Sequence, residues 1–387
     1  MNTLLVNADA TDAAPDRVRL RLLLAVCQAT AILVTWPLWQ ARRGAAGPPN
    51  LPLLDLALLN RWQPNLGEAL LITLVLVVLW PRIGAIAHGL VLLVAICLDQ
   101  LRIQPEFVSV AILLAGTLPR RGWLLVARCH LISLWCFAGL HKLLSAAYLH
   151  ETGPDLARGL FAGLNERQAF TMGVGMALSE LSLGAISIHP RTRRLVPALA
   201  VLLHGGILLS LVAQQWNQAV WPWNLALAAA GFCLFRNWHE PLWAWPAPAQ
   251  PAKRTWLWNG VATVVLFYPA LFYLNLCDGY LAWCVYSSNL PEAHLHPGLA
   301  VGGRTPSEES LAGGGESLFY RSYTPLSVPF SPAVRLFEQY AGRVGRPGDV
   351  LVIDDPRPWS RWRGRGRRVL VVGESGALTE VRPTKTR

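Results

Sequence analysis

The chain has 387 residues, of which 53% are hydrophobic and only 15% are charged. Soluble domains carry about 25% charged residues, so this composition predicts a multi-pass membrane protein and excludes an ordinary soluble domain. The net charge of +11 comes mainly from arginines that stand in short clusters between apolar runs. We interpret those clusters as topology signals, and nucleic acid is not an expected partner.

Cysteine usage excludes two further classes of protein. The seven cysteines include no CxxC pair and no zinc-ligand spacing, so neither a metal site nor thiol redox chemistry is predicted. Most of them lie in apolar runs, where cysteine behaves as a small hydrophobic residue.

The apolar runs, taken in chain order, predict an all-α polytopic membrane bundle of about nine transmembrane helices. A disordered N-terminus, residues 1–16, precedes the predicted transmembrane domain, residues 17–284. The predicted spans are residues 22–39, 66–80, 83–101, 106–118, 123–149, 166–188, 195–215, 221–235 and 256–283. The second and fourth are short for a hydrocarbon core of about 30 Å.

The distribution of charge between the spans predicts the orientation. Most of the arginines and lysines next to the spans fall on the side of the N-terminus. This asymmetry predicts a cytoplasmic N-terminus and a location in the cell inner (plasma) membrane. With an odd number of spans, the C-terminal segment is then extracytoplasmic.

Composition changes after the last apolar run. Residues 285–387 are rich in Gly, Pro, Arg and Ser, and alternating apolar residues at 349–353 and 368–372 predict strands. Ser331-Pro332 is typical of a helix start, which predicts a helix over 331–342. We therefore expect a small soluble, extracytoplasmic α/β domain. Its run RWRGRGRR (361–368) is either a solvated basic loop, which we favour, or a contact for anionic headgroups.

The stretch WCFAGLHKLL, residues 135–144, places His141 and Lys142 near the end of an apolar run. A lysine inside a membrane-length segment costs about 2.5–3.5 kcal/mol on insertion scales. Lys142 therefore either snorkels to the interface or has a functional role. Gly139, just before the pair, allows another backbone to approach closely.

Three further clusters of polar residues interrupt the apolar runs. DQLRIQPE contains Asp99 and Arg102, which form a local ion pair or support a site. Glu180 and His204 lie near mid-span, so we expect both to face the bundle interior. Glu180 is alternatively a neutral acid, and His204 alternatively a packing residue. The predicted picture is an outward-opening cavity lined by Asp99, Lys142, Glu180, His204, Asn217 and Asn224.

The segment AGLHKL, Ala138 to Leu143, resembles the Ala-Gly-x-Lys-Lys-Leu signature of the vitamin K-dependent γ-glutamyl carboxylase membrane domain. That domain belongs to the wider horizontally transferred transmembrane (HTTM) family. DQLRIQPE and YLAWCVYSSNLPEA (280–293) are similar to segments of bacterial relatives, some of them labelled DoxX-like or MauE-like. The resemblance covers residues 18–293. His141 departs from the signature, because the family has lysine there.

The resemblance implies a membrane enzyme in which Lys142 is the base, acting with a quinone such as a vitamin K-type lipid. A desolvated lysine can act as a base. His141 and His204 would assist catalysis, with Asp99, Arg102, Glu180, Asn217 and Asn224 as supporting polar groups. The chain lacks the large lumenal domain that grips propeptide substrates, which argues against carboxylation itself. A non-catalytic redox-associated component or assembly factor, and a small-solute transporter, are the alternatives. The expected partners are the bilayer and a membrane quinone or lipid, and the sequence identifies no protein partner.

Overall fold

The computed structural model describes residues 14–42, 48–53, 64–238, 242, 252–287, 289–300 and 305–384. Of the predicted disordered segment, residues 1–13 lie outside the described residues, and the first helix begins at Ala14. The chain divides into two compact units. The helical unit contains the described residues of Met1–Val34, Gly67–Leu92 and Pro105–Pro269, and the sheet unit those of Thr35–Leu66, Leu93–Gln104 and Ala270–Arg387.

Helices make up the first two thirds of the described chain. Local signals set several of their starts: Asn165 and Gln168 form a capping box at the helix that begins at Glu166, and prolines occupy the first turns of the helices that begin at Pro190, Val196 and Trp221. The helices are α1 Ala14–Val34, α2 Trp36–Trp39, α3 Gly67–Leu79, α4 Pro81–Leu98, α5 Pro105–Gly116, α6 Arg121–Leu143, α7 Gly153–Leu160, α8 Glu166–Ile188, α9 Pro190–Arg193, α10 Val196–Ala213, α11 Trp221–Phe235 and α12 Ala252–Phe267.

Six segments of the described chain are long and apolar enough to cross a membrane. They are Pro81–Leu98, Arg121–Leu143, Glu166–Ile188, Val196–Ala213, Gln218–Phe235 and Trp256–Leu274. By helix composition, the chain is a multi-pass membrane protein.

The other three of the nine predicted spans are not among these six. The expected span 22–39 falls on α1 and α2, and α1 includes Arg17, Arg19 and Arg21. The expected spans 66–80 and 106–118 are α3, with 13 residues, and α5, with 12. At 1.5 Å per residue these two helices are roughly 20 Å long, shorter than a hydrocarbon core of about 30 Å.

Helix α6 is central to the helical unit, because it packs against α5, α8, α11 and α12. Small residues let α6 and α8 approach each other closely. A Cβ on Gly184 of α8 would lie 2.4 Å from the Sγ of Cys136 and 2.8 Å from its backbone nitrogen. Close backbone contact of this kind is the usual way in which membrane helices gain packing energy.

The sheet unit is built around five antiparallel strands in the order β2-β1-β3-β4-β5. Their bounds are β1 Glu292–His296, β2 Glu316–Ser317, β3 Val350–Asp354, β4 Arg367–Val372 and β5 Leu378–Val381. Both predicted strands are confirmed as β3 and β4, which pair with Leu351 opposite Leu370. Val350, Val352 and Val369 form the core of one face.

Five short helices accompany the sheet: α13 Glu308–Ala312, α14 Leu318–Arg321, α15 Tyr323–Leu326, α16 Val334–Val344 and α17 Pro358–Trp362. The helix predicted over 331–342 is α16, and it begins at Val334 because Ala333 has an extended backbone. Its apolar side packs Phe337 and Tyr340 against Phe330, with ring centroids 5.8 and 5.4 Å apart.

Segments far upstream in sequence belong to the same compact unit as the sheet. From α16, Arg335 Nε donates to Gln100 Oε1 at 2.9 Å, and Gln339 Nε2 donates to Pro52 O at 3.0 Å. Arg343 Nη1 donates to Asn50 O at 2.7 Å. These contacts join residues 48–53 and the DQLRIQ turn to α16.

Candidate functional site

Lys142 lies in the last turn of α6, three residues after Gly139. A Cβ on Gly139 would meet the backbone of α8, with Leu181 N at 2.5 Å and Ala177 O at 2.8 Å. The absent side chain therefore lets the two helices touch, as the sequence predicts. Because Glu180 precedes Leu181 on α8, this approach brings its carboxylate opposite Lys142.

The ammonium of Lys142 donates a hydrogen bond to Oε2 of Glu180. The two side chains are only 7% and 5% exposed, so this is a buried ion pair between two membrane-length helices. The ring of Tyr148 lies 5.9 Å from Nζ, and its hydroxyl donates to Gly173 O at 3.3 Å. The ammonium is thus held inside the protein by Glu180, whereas a snorkelling lysine would keep its charged end exposed.

The pair leaves much of its hydrogen-bonding capacity unused. An ammonium has three donors, and a carboxylate can accept about four hydrogen bonds. Within the described part of the chain, each of these two side chains has the other as its one hydrogen-bond partner. The remaining capacity is available to a polar ligand or to water.

His204 of α10 is buried, as predicted, and so is Glu180. Trp135 Nε1 donates to His204 Nε2 at 2.9 Å, and His204 Nδ1 lies 3.1 Å from Asn224 Oδ1. An indole nitrogen can only donate, so Nε2 of His204 accepts from Trp135, and Nδ1–H donates a hydrogen bond to Oδ1 of Asn224. Asn224 Nδ2 in turn donates to Val220 O at 3.0 Å. Both ring nitrogens of His204 are therefore occupied in its neutral form.

The other two predicted residues of the helical unit differ in setting. His141 is fully buried in α6, with its ring centroid 6.2 Å from that of Phe137. Asn217 is half-buried in the turn before α11 and has a left-handed backbone, with φ of 47°. Neither of them joins Lys142 to His204 by a described hydrogen bond.

Asp99 and Arg102 belong to the sheet unit, where Arg42 completes a buried cluster. Arg42 Nη2 donates to Asp99 Oδ2, and Arg102 Nε lies 3.8 Å from the same oxygen. Arg102 also donates to the carbonyls of Leu38, at 3.0 Å, and Ala95, at 3.3 Å.

This cluster has one carboxylate for two guanidinium groups. Burial lowers the pKa of Arg42 to about 9, and the charge on Arg102 adds to the effect. Arg42 therefore stays protonated at neutral pH. Oδ1 of Asp99 accepts from the backbone nitrogens of Leu51 and Leu101, at 3.1 and 3.2 Å. These bonds fix the turn, so the local ion pair of Asp99 with Arg102 is one part of a structural cluster.

An apolar groove of about 450 Å³ runs between α8 and α10 in the helical unit. Ser179, Ser182 and Leu183 line it from α8, and Gly206 and Ile207 from α10. Its volume is within the usual range for small-molecule sites. Neither Lys142 nor His204 is among its lining residues. The groove therefore differs from the predicted cavity, which both residues were expected to line.

Sequence reasoning assigned no role to Trp135, Tyr148 or Arg42. For Trp135 a signal existed, because it precedes Lys142 by two helical turns and so shares its face of α6. For Arg42 there was none, since 57 residues separate it from Asp99. The pairing of Lys142 with Glu180, across 38 residues, likewise depends on which helices are neighbours.

The relation of residues 18–293 to the HTTM family stays a prediction. Comparison with protein-family models, with curated proteins and with solved structures finds nothing that matches this chain.

Proposed function

We propose that this multi-pass membrane protein is an enzyme that uses a membrane quinone or a similar lipid, with the Lys142–Glu180 pair as its reactive centre. The observation that carries the proposal is a buried ion pair with unused hydrogen-bonding capacity. Ionisable residues inside a membrane are expensive and mark functional sites by default. Buried polar groups without full partners also require an explanation, and catalysis is one.

The chemistry follows from the two side chains. Transfer of one proton from Nζ to Oε2 converts the ion pair into a neutral amine and a carboxylic acid, with no change in net charge. If the ligand is the reduced quinone, a quinol, the neutral amine can take the proton of one of its hydroxyls, and the resulting oxyanion would lie beside the new ammonium. Lys142 is thus the base and Glu180 stores its proton. The groove between α8 and α10 has room for part of a lipid tail.

The family assignment and orientation belong to the same proposal. Membership of the HTTM family rests on AGLHKL and DQLRIQPE, and a bundle of nine spans with a cytoplasmic N-terminus rests on run lengths and arginine distribution. We place the chain in the inner membrane, with residues 285–387 extracytoplasmic. A reporter that is active only outside the cytoplasm, fused after Arg387, tests this orientation. A silent fusion that is expressed normally would contradict it.

The functional test uses the full chain in lipid nanodiscs with reduced menaquinone-4, the quinol, as the probe. We expect the quinol to raise the melting temperature of the wild type, and Lys142→Met and Glu180→Gln to weaken binding at least tenfold. Lys142→Arg keeps the cation but cannot become neutral, so it should bind yet support no proton exchange. Ser109→Ala, which removes a different buried contact, with His130, is the matched control. Equal binding by all four variants would contradict the proposal.

A non-catalytic membrane component is the second candidate, and the hydrogen bonds of His204 favour it. Both ring nitrogens are occupied by Trp135 and Asn224, which suits a packing role better than proton transfer. In that case Lys142 and Glu180 would also fix the register of α6 against α8. No quinol binding, together with normal folding of Lys142→Arg, would support this candidate.

A further inference from the structure

The basic run of the sheet unit is ordered and keeps its charges exposed. Arg361 and Trp362 end α17, and Arg363 and Arg365 follow in a tight turn, where Gly364 has φ of 68°. Arg365 N donates to Ser360 O at 2.8 Å, which closes the turn. The three arginines are exposed, and the described part of the chain offers none of them a carboxylate partner. By contrast, Arg367 and Arg368 pair with acidic residues of the sheet unit.

Aromatic side chains accompany these charges. Trp362 is 73% exposed, and its ring centroid lies 4.9 Å from that of Trp359. The guanidinium of Arg363 lies over Trp359, at 4.6 Å from the ring centroid. Exposed tryptophan beside arginine is typical of the membrane–water interface, where the ring sits at headgroup level.

One contact ties this region to the chain that follows the last membrane-length segment, and a second ties α16 of the same unit to it. Asn275 directly follows the last membrane-length segment, Trp256–Leu274, and its Nδ2 donates to Ser360 Oγ at 2.6 Å. Asp278 is bound by both terminal nitrogens of Arg335. Leu274 and Leu276, on either side of Asn275, are 46% and 67% exposed. Helix α17 therefore lies beside a segment that starts at the end of a span.

We propose that Arg361, Trp362, Arg363 and Arg365 form a lipid-contact surface for anionic phospholipid headgroups of the leaflet where the last span ends. Each exposed arginine can attract an anionic headgroup, and Trp362 inserts its ring at headgroup depth. A free acidic protein or a nucleic acid would not need the tryptophan or the bond from Asn275.

Native mass spectrometry of the full chain, with phosphatidylglycerol and phosphatidylcholine as probes, tests the charge component. Arg361→Gln/Arg365→Gln should bind phosphatidylglycerol more weakly, by about fivefold for each arginine, with phosphatidylcholine unaffected. The matched control is Arg346→Gln/Arg382→Gln, which removes two other exposed charges. Equal loss in both double variants, or none in the first, would overturn the proposal.

A second measurement tests the position of the ring. In nanodiscs, the tryptophan emission that is lost in Trp362→Phe should be quenched by lipids brominated near the headgroup. Quenching of that emission by aqueous iodide alone would identify a solvated loop and overturn the proposal. It would equally be overturned if Arg361→Gln/Arg365→Gln lost a co-purifying nucleic acid or acidic protein while lipid binding stayed unchanged.

Discussion

The two units of this protein each bury an ion pair, and the pairs are built differently. In the sheet unit, the carboxylate of Asp355 accepts from Arg357 Nε at 2.8 Å, from Arg357 Nη2 at 2.7 Å and from Ser360 Oγ at 2.5 Å. These partners lie within five residues of the aspartate. In the helical unit, Lys142 and Glu180 are 38 residues apart and share one hydrogen bond.

The difference separates a structural pair from a reactive one. A buried charged group that makes all its hydrogen bonds within the protein stabilises one conformation of its surroundings. It has no hydrogen-bonding capacity left for a ligand. Asp355 meets this description. A pair with free donors and acceptors is less stable and can still bind and exchange protons, as we propose for Lys142 and Glu180. The following changes test that distinction.

Glu180→Gln should have the largest effect on stability. It removes the counter-charge and leaves the Lys142 ammonium buried, which costs about 3–5 kcal/mol in the free energy of unfolding. Lys142→Met/Glu180→Gln should recover most of this loss, because the double variant has no buried charge. Unfolding in mixed detergent, followed by circular dichroism, measures both. A neutral effect of Glu180→Gln alone would mean that the acid is already protonated.

Asp355→Asn should cost about 1.5–3 kcal/mol, since it weakens several hydrogen bonds made to a charged group. The adjacent Asp354 provides a matched control: its side chain is 53% exposed and lies 3.8 Å from Arg367. Asp354→Asn should therefore change the stability by no more than about 0.5 kcal/mol. Denaturant unfolding of the three proteins checks this, and equal losses for the two variants would contradict the structural role of Asp355.

Gly139→Ala should cost about 1–3 kcal/mol, because the new methyl group would overlap the backbone of α8 near Leu181. Gly175→Ala on α8 is the control, since its Cβ would meet nothing within 4 Å. Alanine there should be neutral or slightly stabilising. A melting-temperature comparison distinguishes them. If Gly139→Ala were as stable as the control, the Lys142–Glu180 pair would not depend on the close approach of α6 and α8.

Local features of both units could be predicted from the sequence, and long-range contacts could not. Strands β3 and β4 follow from alternating residues, and burial of Glu180 and His204 follows from the cost of a polar group in lipid. The partners of these residues depend on helix neighbours that no periodicity encodes. Run length and composition predict nine spans, and six segments of the described chain are long and apolar enough to cross a membrane, whereas α3 and α5 are apolar but shorter. The close helix contact at Gly139 was predictable, because a residue without a side chain allows another backbone to approach.

The smallest expected effect is on the pH dependence of the unfolding free energy, and it concerns Asp355 of the sheet unit. Burial alone would raise the pKa of Asp355, but hydrogen bonds from Arg357 and Ser360 and the charge of Arg357 bring it below its usual 3.8. A carboxylate with a lowered pKa in the folded state stabilises the fold above its unfolded pKa. That stabilisation is lost as the pH falls through the folded value. The difference in unfolding free energy between wild type and Asp355→Asn should therefore be constant from pH 7 to about 5 and shrink below about pH 4. Burial lowers the pKa of His296 as well, but both proteins contain His296, so its contribution cancels in the difference. A difference that stays constant down to pH 3 would mean that Asp355 acts through its shape rather than its charge.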